Sequence, residues 1–135
     1  MMDAALRAFV VNRAGGRCEY CRLHRDDDDF LSFHIEHIIA KQHGGKTDSD
    51  NLCWACSECN WAKGPNLVGI FDGKLNPLFH PRKQNWHRHF RWEQTTLVGK
   101  TFSGRVTVQV LNINETSRIM LRENLLFEGR FPPRE

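Results

Sequence analysis

Hydrophobic positions follow different spacings along the chain, and each spacing predicts a different kind of element. Near the start, apolar residues recur at helical spacing behind Asp3, which can cap a helix, and a Gly-Gly pair follows them. We therefore expect a helix over residues 4–14 with an apolar stripe, formed by Leu6, Phe9 and Val10.

The middle of the chain predicts a strand, a long loop, a second strand and a short helix. Residues 30–39, FLSFHIEHII, alternate aromatic or β-branched residues with polar ones, as a strand does. Residues 40–51 are rich in Gly, Asp, Ser and Asn, which indicates a surface loop. NLCWAC (51–56) resumes as a strand, and SECNWAKG (57–64) predicts the first turns of a helix that a Gly-Pro sequence ends.

The pattern changes to coil and then to period-two alternation in the second half. Residues 65–82, PNLVGIFDGKLNPLFHPR, predict a coil punctuated by Pro and Gly. HFRWEQ (89–94), TLVGKT (96–101) and GRVTVQVLN (104–112) predict strands. In the last of these, one face would carry three valines, Val106, Val108 and Val110.

The last predicted element is a helix over residues 114–129, with Asn114 as a possible N-cap and Gly129 as its stop. The fold class is therefore α+β. With 40% hydrophobic and 26% charged residues, the 135-residue chain has the composition of a single domain, residues 1–135. Its parts would be an N-terminal helix, a central core and a C-terminal extension with a small β-sheet plus helix, over residues 1–17, 18–64 and 65–135.

Composition excludes a membrane protein, and the small net charge is unevenly distributed along the chain. No apolar run approaches the roughly 20 residues that a membrane helix needs, and the N-terminus lacks the features of a secretory signal, so we expect a cytoplasmic protein. The formal charge is only +3. Residues 61–135 hold twelve Lys and Arg against six Asp and Glu, while residues 1–60 hold seven against ten. The second half could therefore supply contacts to phosphates.

Five cysteines occur as one CxxC pair and one CxxCxxC run, which in a reducing compartment favours a metal site over disulfides. A structural Zn²⁺ takes four such ligands in a tetrahedron. Spacing alone leaves Cys53 with Cys56 as a competing second pair. Because CSEC at the end of a strand makes a better turn than CWAC within it, we expect Cys53 to be a buried strand thiol, and the zinc ligands to be Cys18, Cys21, Cys56 and Cys59.

A glutamate and a histidine, Glu36 and His37, stand side by side at the end of the first predicted strand. A carboxylate can hold a hard cation, and an imidazole with an ordinary pKa near 6.5 can deprotonate water at neutral pH. An ideal strand points neighbouring residues to opposite faces, so both side chains would serve one site only where the strand bends or bulges at its end, which the loop after them permits.

Taken in order, several short motifs resemble the HNH endonuclease family in its zinc-stapled form, with a ββα-metal (His-Me finger) core. They are His37, a GG pair at 44–45, Asn51-Leu52 and CxxCNxxKG at 56–64. The resemblance covers about residues 18–64. The remainder, from PNLVGI to the final helix, is similar to the C-terminal extension of small stand-alone bacterial HNH proteins.

This resemblance implies a metal-dependent endonuclease that hydrolyses DNA phosphodiester bonds. Glu36 and Asn60 would ligate a catalytic Mg²⁺ or Mn²⁺, His37 would be the general base, and Asn51 would hold the loop and orient the histidine. One carboxylate and one amide oxygen suit ions of this kind. Many members carry histidine where Asn60 stands, and Glu36 replaces the commoner aspartate or histidine.

Two further residues have alternative interpretations. Lys63, one turn after Asn60, could contact a phosphate or be a solvated lysine at a helix end. His34 shares the strand face of Glu36 and could be a third ligand or a phosphate contact.

Cations alternate with aromatic rings in HPRKQNWHRHFRW (80–92), as in proteins that bind single strands, but core packing is the stronger explanation for the rings. Two rival functions remain beside the nuclease: a zinc-dependent module that binds nucleic acid without cutting it, and a structural zinc protein that serves as a partner domain. Neither explains why Glu36, His37, Asn51 and Asn60 occur together. The oligomeric state is not predicted.

Overall fold

A computed structural model describes residues 2–134 and contains five α-helices and six β-strands in that range. The helices are α1 Ala4–Arg13, α2 Ser57–Lys63, α3 Trp86–His89, α4 Phe102–Val110 and α5 Thr116–Phe127. The strands are β1 Phe33–His37, β2 Leu52–Cys56, β3 Val68–Phe71, β4 Lys74–Pro77, β5 Phe90–Glu93 and β6 Thr96–Gly99. Each strand pairs with its sequence neighbour in an antiparallel hairpin.

Helix α1 begins and ends as its sequence predicts. The Asp3 carboxylate accepts a hydrogen bond of 2.7 Å from the backbone N–H of Leu6, and Gly15 and Gly16, which follow the helix, have positive φ angles. The apolar stripe is narrower than predicted, because Val10 is buried while Phe9 is 51% exposed. Val10 packs in a small apolar cluster with Leu52 and Trp54 of β2 and with Phe33 and Ile35 of β1.

The two faces of the hairpin β1–β2 pack against different parts of the protein. Its register runs without interruption from Phe33 opposite Cys56 to His37 opposite Leu52. Phe33 and Ile35 pack on the cluster around α1. Cys53 and Ala55 belong to the main core, together with Ile38 and the four cysteines predicted as zinc ligands. The register of β1 continues through Glu36 and His37 without a bulge, so within the strand these two side chains point to opposite faces.

The segment predicted as coil, residues 65–82, contains the hairpin β3–β4, so the coil prediction is wrong there. Asp72 and Gly73 form its turn with φ angles of 55° and 72°. Two consecutive positive φ angles define the type I′ turn that an Asp-Gly pair favours, and this pair was the signal that the coil prediction passed over.

The predicted strand over residues 104–112 is helix α4, so this prediction is also wrong. Thr101 caps the helix, because its Oγ1 accepts a 3.0 Å hydrogen bond from the N–H of Gly104. Val106 and Val110, four residues apart, pack over Gly69 of β3, where a Cβ atom would lie 2.8 Å from that of Val106. Tertiary packing of one helical face therefore outweighs the β-propensity of the valines.

Helix α5 differs from its prediction in the residue that caps its N-terminus. Glu115 caps it, and Asn114, the predicted N-cap, instead binds the backbone of Leu97 on β6 through both its amide oxygen (2.9 Å) and its amide nitrogen (2.8 Å). The predicted single C-terminal sheet with one helix is replaced by two separate hairpins, β3–β4 and β5–β6, and three helices, α3, α4 and α5. The α+β class holds for the residues described. No helix among residues 2–134 combines the length and the apolar character needed to cross a membrane.

Candidate metal centre and active site

Four cysteines from two distant segments meet in the core. The Sγ atoms of Cys18, Cys21, Cys56 and Cys59 all lie within 4.8 Å of one another, and all four residues are buried. The Sγ atoms of Cys21 and Cys56 are 3.7 Å apart. Tetrahedral Zn²⁺ with Zn–S bonds of about 2.3 Å requires sulfur separations of about 3.8 Å. The donor set therefore fits a structural zinc, as predicted.

The backbone shapes both cysteine pairs for this purpose. In each pair the N–H of the second cysteine donates to the sulfur of the first, at 3.5 Å for Cys21 to Cys18 and at 3.4 Å for Cys59 to Cys56. Cys56 also caps α2, so the second knuckle lies at the junction between β2 and that helix. Cys53 lies outside the cluster as a buried strand thiol, which confirms its predicted role and excludes the competing pair.

An arginine from the C-terminal helix completes the surroundings of the four sulfurs. Arg118 is buried, and its Nη2 donates to Cys59 Sγ at 2.9 Å and lies 3.9 Å from Cys56 Sγ. Burial lowers the pKa of an arginine, but the negative sulfurs outweigh it and raise the pKa of Arg118 above its ordinary value. Sequence reasoning missed this residue, because helical spacing in α5 gives no sign that an arginine faces inward.

Glu36 lies on the core face of β1 in a buried polar network. Its Oε1 accepts a hydrogen bond from Cys53 Sγ at 3.4 Å, and the Tyr20 hydroxyl also hydrogen-bonds to it. Burial raises the pKa of Glu36, and the nearby Lys63 ammonium and these two hydrogen bonds partly oppose the rise. The carboxylate therefore faces the side of the hairpin on which α2 and its Lys63 pack.

His37 occupies the other side of the strand. Its Nε2 is 2.7 Å from the Thr47 hydroxyl, and the ring lines a shallow surface pocket with Asp3 and Leu6 of the α1 segment and with Lys41. Partial burial and the Lys41 charge lower its pKa below the ordinary value. The imidazole is thus neutral at neutral pH, although the structure does not bring it onto the face that carries Glu36.

Asn51 binds the loop that follows His37. Its Oδ1 accepts from the N–H of Ile39 at 2.9 Å, and its Nδ2 donates to the carbonyls of Ile39 at 3.0 Å and Lys46 at 2.9 Å. Gly45 packs against this clamp, since a Cβ atom there would lie 1.7 Å from the Ile39 carbonyl oxygen. Both ends of the loop are therefore fixed to one buried amide.

The remaining predicted residues lie in different environments. Asn60 is half-buried on α2, and within residues 2–134 its side-chain amide makes no hydrogen bond. Lys63 is 2% exposed and donates to the Ile38 carbonyl at 2.9 Å, so it is not the solvated helix-end lysine considered above. His34 is exposed, and its Nε2 lies 3.2 Å from the Ser32 hydroxyl.

The aromatic residues of the segment 80–92 serve mainly as core. Trp86 and Phe90 are buried, with ring centroids 5.2 Å apart. Arg82 forms an ion pair with buried Glu19, whose other oxygen accepts from the Trp54 N–H at 2.8 Å. The core-packing explanation is correct for these rings, and Arg82 connects the C-terminal extension to the first cysteine knuckle.

Comparisons with known proteins agree with the motifs. The sequence profile of the HNH endonuclease family matches residues 18–66. The chain is 25% identical over 123 residues to Septu protein PtuB of Bacillus thuringiensis, an alignment that covers 90% of this chain and 46% of the relative. It is 26% identical over 152 residues to Septu protein PtuA of Bacillus mycoides, covering 91% of this chain and 21% of the relative.

The chain therefore spans less than half the length of these curated relatives. No solved structure matches it significantly. The matched segment includes the four clustered cysteines together with Glu36, His37, Asn51 and Asn60. Residues 18–66 of this chain are thus similar to the HNH endonuclease family.

Proposed function

We propose that this protein is a metal-dependent endonuclease that hydrolyses phosphodiester bonds, with DNA as its main substrate. The observation that carries the proposal is the family match over a segment in which Asn51 makes three hydrogen bonds to the loop after His37. An arrangement that fixes the peptide directly after a histidine restricts where the imidazole can lie, as a general base requires.

In this proposal His37 takes the proton from the attacking water. Its lowered pKa keeps the ring neutral and able to accept a proton at neutral pH. The Thr47 hydroxyl holds Nε2 at 2.7 Å, which leaves Nδ1 as the nitrogen for the water. In this proposal the phosphate that is attacked lies at the end of β1, where the chain enters the loop that Asn51 holds.

Glu36 and Asn60 would hold the catalytic Mg²⁺ or Mn²⁺. They lie on β1 and α2, which pack against each other, and a carboxylate with an amide oxygen is a donor set of the type these ions prefer. When bound, such an ion neutralises the charge that develops on the phosphate and on the leaving 3′ oxygen. Lys63 contributes its positive charge beside Glu36, which helps to keep that buried carboxyl ionised.

The zinc in this proposal is structural. The four-cysteine cluster joins residues on both sides of β1–β2, so the ion would fix the hairpin that carries Glu36 and His37. The alternative of a nucleic-acid-binding module that does not cleave is not favoured, because binding alone requires neither the neutral imidazole nor the carboxylate in the core.

A plasmid assay tests the proposal. Purified protein with Mg²⁺ or Mn²⁺ is expected to nick supercoiled DNA, and His37→Ala is expected to abolish nicking while keeping zinc and a cooperative unfolding transition. The matched control is His43→Ala, which removes an exposed histidine of the same loop. Nicking by His37→Ala at the rate of His43→Ala would exclude His37 as the base. Absence of nicking by every form of the protein, with Mg²⁺ and with Mn²⁺, would overturn the nuclease proposal.

A further inference from the structure

A largely apolar pocket with a volume of about 300 Å³ opens beside the candidate active site. Its lining includes Ile38 and Ile39, the two residues directly after His37, and Lys63 at the end of α2. The opposite side comes from the C-terminal extension and includes Leu67, Phe79 and Lys83. The family core and the extension thus form this pocket together.

Hydrogen bonds of the surrounding backbone hold the extension's side of the pocket in place. The N–H of Leu78 donates to the Leu67 carbonyl at 3.0 Å, and the N–H of Phe79 donates to the Thr107 hydroxyl of α4 at 2.8 Å. Phe79 is only 2% exposed, while Leu67 at the rim is 39% exposed. The pocket is therefore part of the packed fold and not a gap between mobile loops.

The charges around the pocket have one sign. Its lining contains two lysines, Lys63 and Lys83, and among residues 2–134 no Asp or Glu lines it. The ring Nδ1 of His80 accepts from the N–H groups of Arg82 and Lys83, and Gln84 Oε1 accepts from the His80 N–H at 2.8 Å. Lys83 itself is exposed, so its ammonium is available at the rim. An apolar floor with the Lys83 ammonium at its edge suits a ligand that joins a flat apolar ring to an anion.

We propose that this pocket holds one unstacked nucleotide of the nucleic-acid substrate, next to the bond that is cut. The base lies against Ile38, Ile39 and Leu67, and the attached phosphate lies near Lys83. This inference rests on the proposed nuclease function, because the pocket begins at the residue after the proposed base. A paired and stacked base must leave its duplex to enter, which costs free energy, so single-stranded or frayed substrate is favoured over intact duplex.

The test uses methyl NMR of the zinc-loaded protein without Mg²⁺ or Mn²⁺, so that cleavage does not enter the measurement. Deoxyadenosine 5′-monophosphate is expected to shift the methyl signals of Ile38, Ile39 and Leu67, and a short single strand is expected to displace it better than the same sequence in a duplex. Absence of these shifts, the same shifts with inorganic phosphate alone, or equal displacement by strand and duplex would each overturn the proposal.

Two pairs of variants locate the contacts. Leu67→Trp fills the rim and should weaken nucleotide binding at least about tenfold, equivalent to about 1.4 kcal/mol, while Ile70→Trp on exposed β3 should not. Lys83→Gln should weaken binding of the monophosphate and leave binding of deoxyadenosine unchanged, with Lys74→Gln as the control. Equal effects within either pair would contradict the assignment. If the pocket binds the nucleotide but plasmid is never nicked, the nuclease proposal fails and the assignment of the pocket as a nucleotide-binding site is retained.

Discussion

The guanidinium Nη2 of Arg118 lies 2.9 Å from the sulfur of Cys59, a residue 59 positions earlier in the chain. Four thiolates around one Zn²⁺ carry a net charge of −2, which a low-dielectric interior disfavours. Arg118 is held in place by the carbonyls of Leu111 at 2.8 Å and Asn112 at 3.2 Å. The last helix is thereby connected electrostatically to the centre of the HNH segment.

Replacing Arg118 should weaken zinc retention. Arg118→Met keeps an unbranched apolar stem but removes the cation and the hydrogen bond to Cys59, and loss of such an outer contact typically costs about 10- to 100-fold in metal affinity. We expect faster zinc transfer to a chromogenic chelator. The control is Arg91→Met, whose arginine pairs with exposed Glu93. Equal transfer rates in the two variants would show that Arg118 does not act on the metal site.

Zinc content should follow the four-cysteine assignment and exclude the fifth cysteine. Elemental analysis is expected to give about one zinc per chain, because a structural site takes four ligands. Cys59→Ala should lose the metal and the cooperative unfolding transition, whereas Cys53→Ala should keep both. Folded wild-type protein without zinc, or loss of zinc in Cys53→Ala, would contradict the assignment.

The loop after His37 should depend on Asn51. Asn51→Ala removes three hydrogen bonds and leaves the N–H and carbonyl of Ile39 unpaired, so we expect a loss of about 1–3 kcal/mol in the free energy of unfolding. Urea denaturation measures the loss, and amide exchange at Ile39 should accelerate. The comparison is Asn124→Ala, which removes an exposed asparagine of α5. Unchanged exchange at Ile39 would show that the clamp does not hold the loop.

Two neighbouring glycines should respond differently to a methyl group. Gly44 has a φ of +90° with nothing within 4 Å of a Cβ, so Gly44→Ala incurs only backbone strain of about 1–2 kcal/mol. At Gly45 a Cβ would meet the Ile39 carbonyl oxygen at 1.7 Å, so the loop must shift, and we expect a cost of about 2–3 kcal/mol. Denaturation midpoints measure both variants. The reverse order would mean that the loop packs differently on Asn51.

Mild acid should destabilise the fold through two histidines of the second half. Burial, followed by nearby Lys or Arg charges, lowers the pKa of His80 and of His89 below the ordinary 6.5. As the pH falls through 6.5, the unfolded chain binds protons before the native state does. The stability that the neutral His80 and His89 contribute is therefore fully present above pH 6.5 and is lost progressively below it. The double variant His80→Gln/His89→Gln should flatten the decline of the urea midpoint at constant zinc. An unchanged pH dependence of the urea midpoint in the double variant would show that these two histidines do not cause the decline.

The metal ligands and the central hairpin followed from local patterns. Two CxxC pairs, alternation in residues 33–37 and the turn-rich loop are each encoded within a few neighbouring residues, and the structure agrees with them. The hairpin β3–β4 was also encoded locally, by Asp72-Gly73, and was missed because the surrounding Pro and Gly suggested coil. In contrast, the valines of α4 gave a period-two signal that the packing of Val106 and Val110 on Gly69 overrode.

The sequence by itself determined the chemistry of this protein: the four sulfur donors, the adjacent carboxylate and imidazole, and the order of elements around them. Only the tertiary structure decided where charges from distant segments fall, because burial and electrostatic contacts depend on spatial neighbours that no local pattern encodes. Arg118 beside Cys59, Lys63 beside Glu36 and Arg82 beside Glu19 each join residues far apart in the chain or on separate elements.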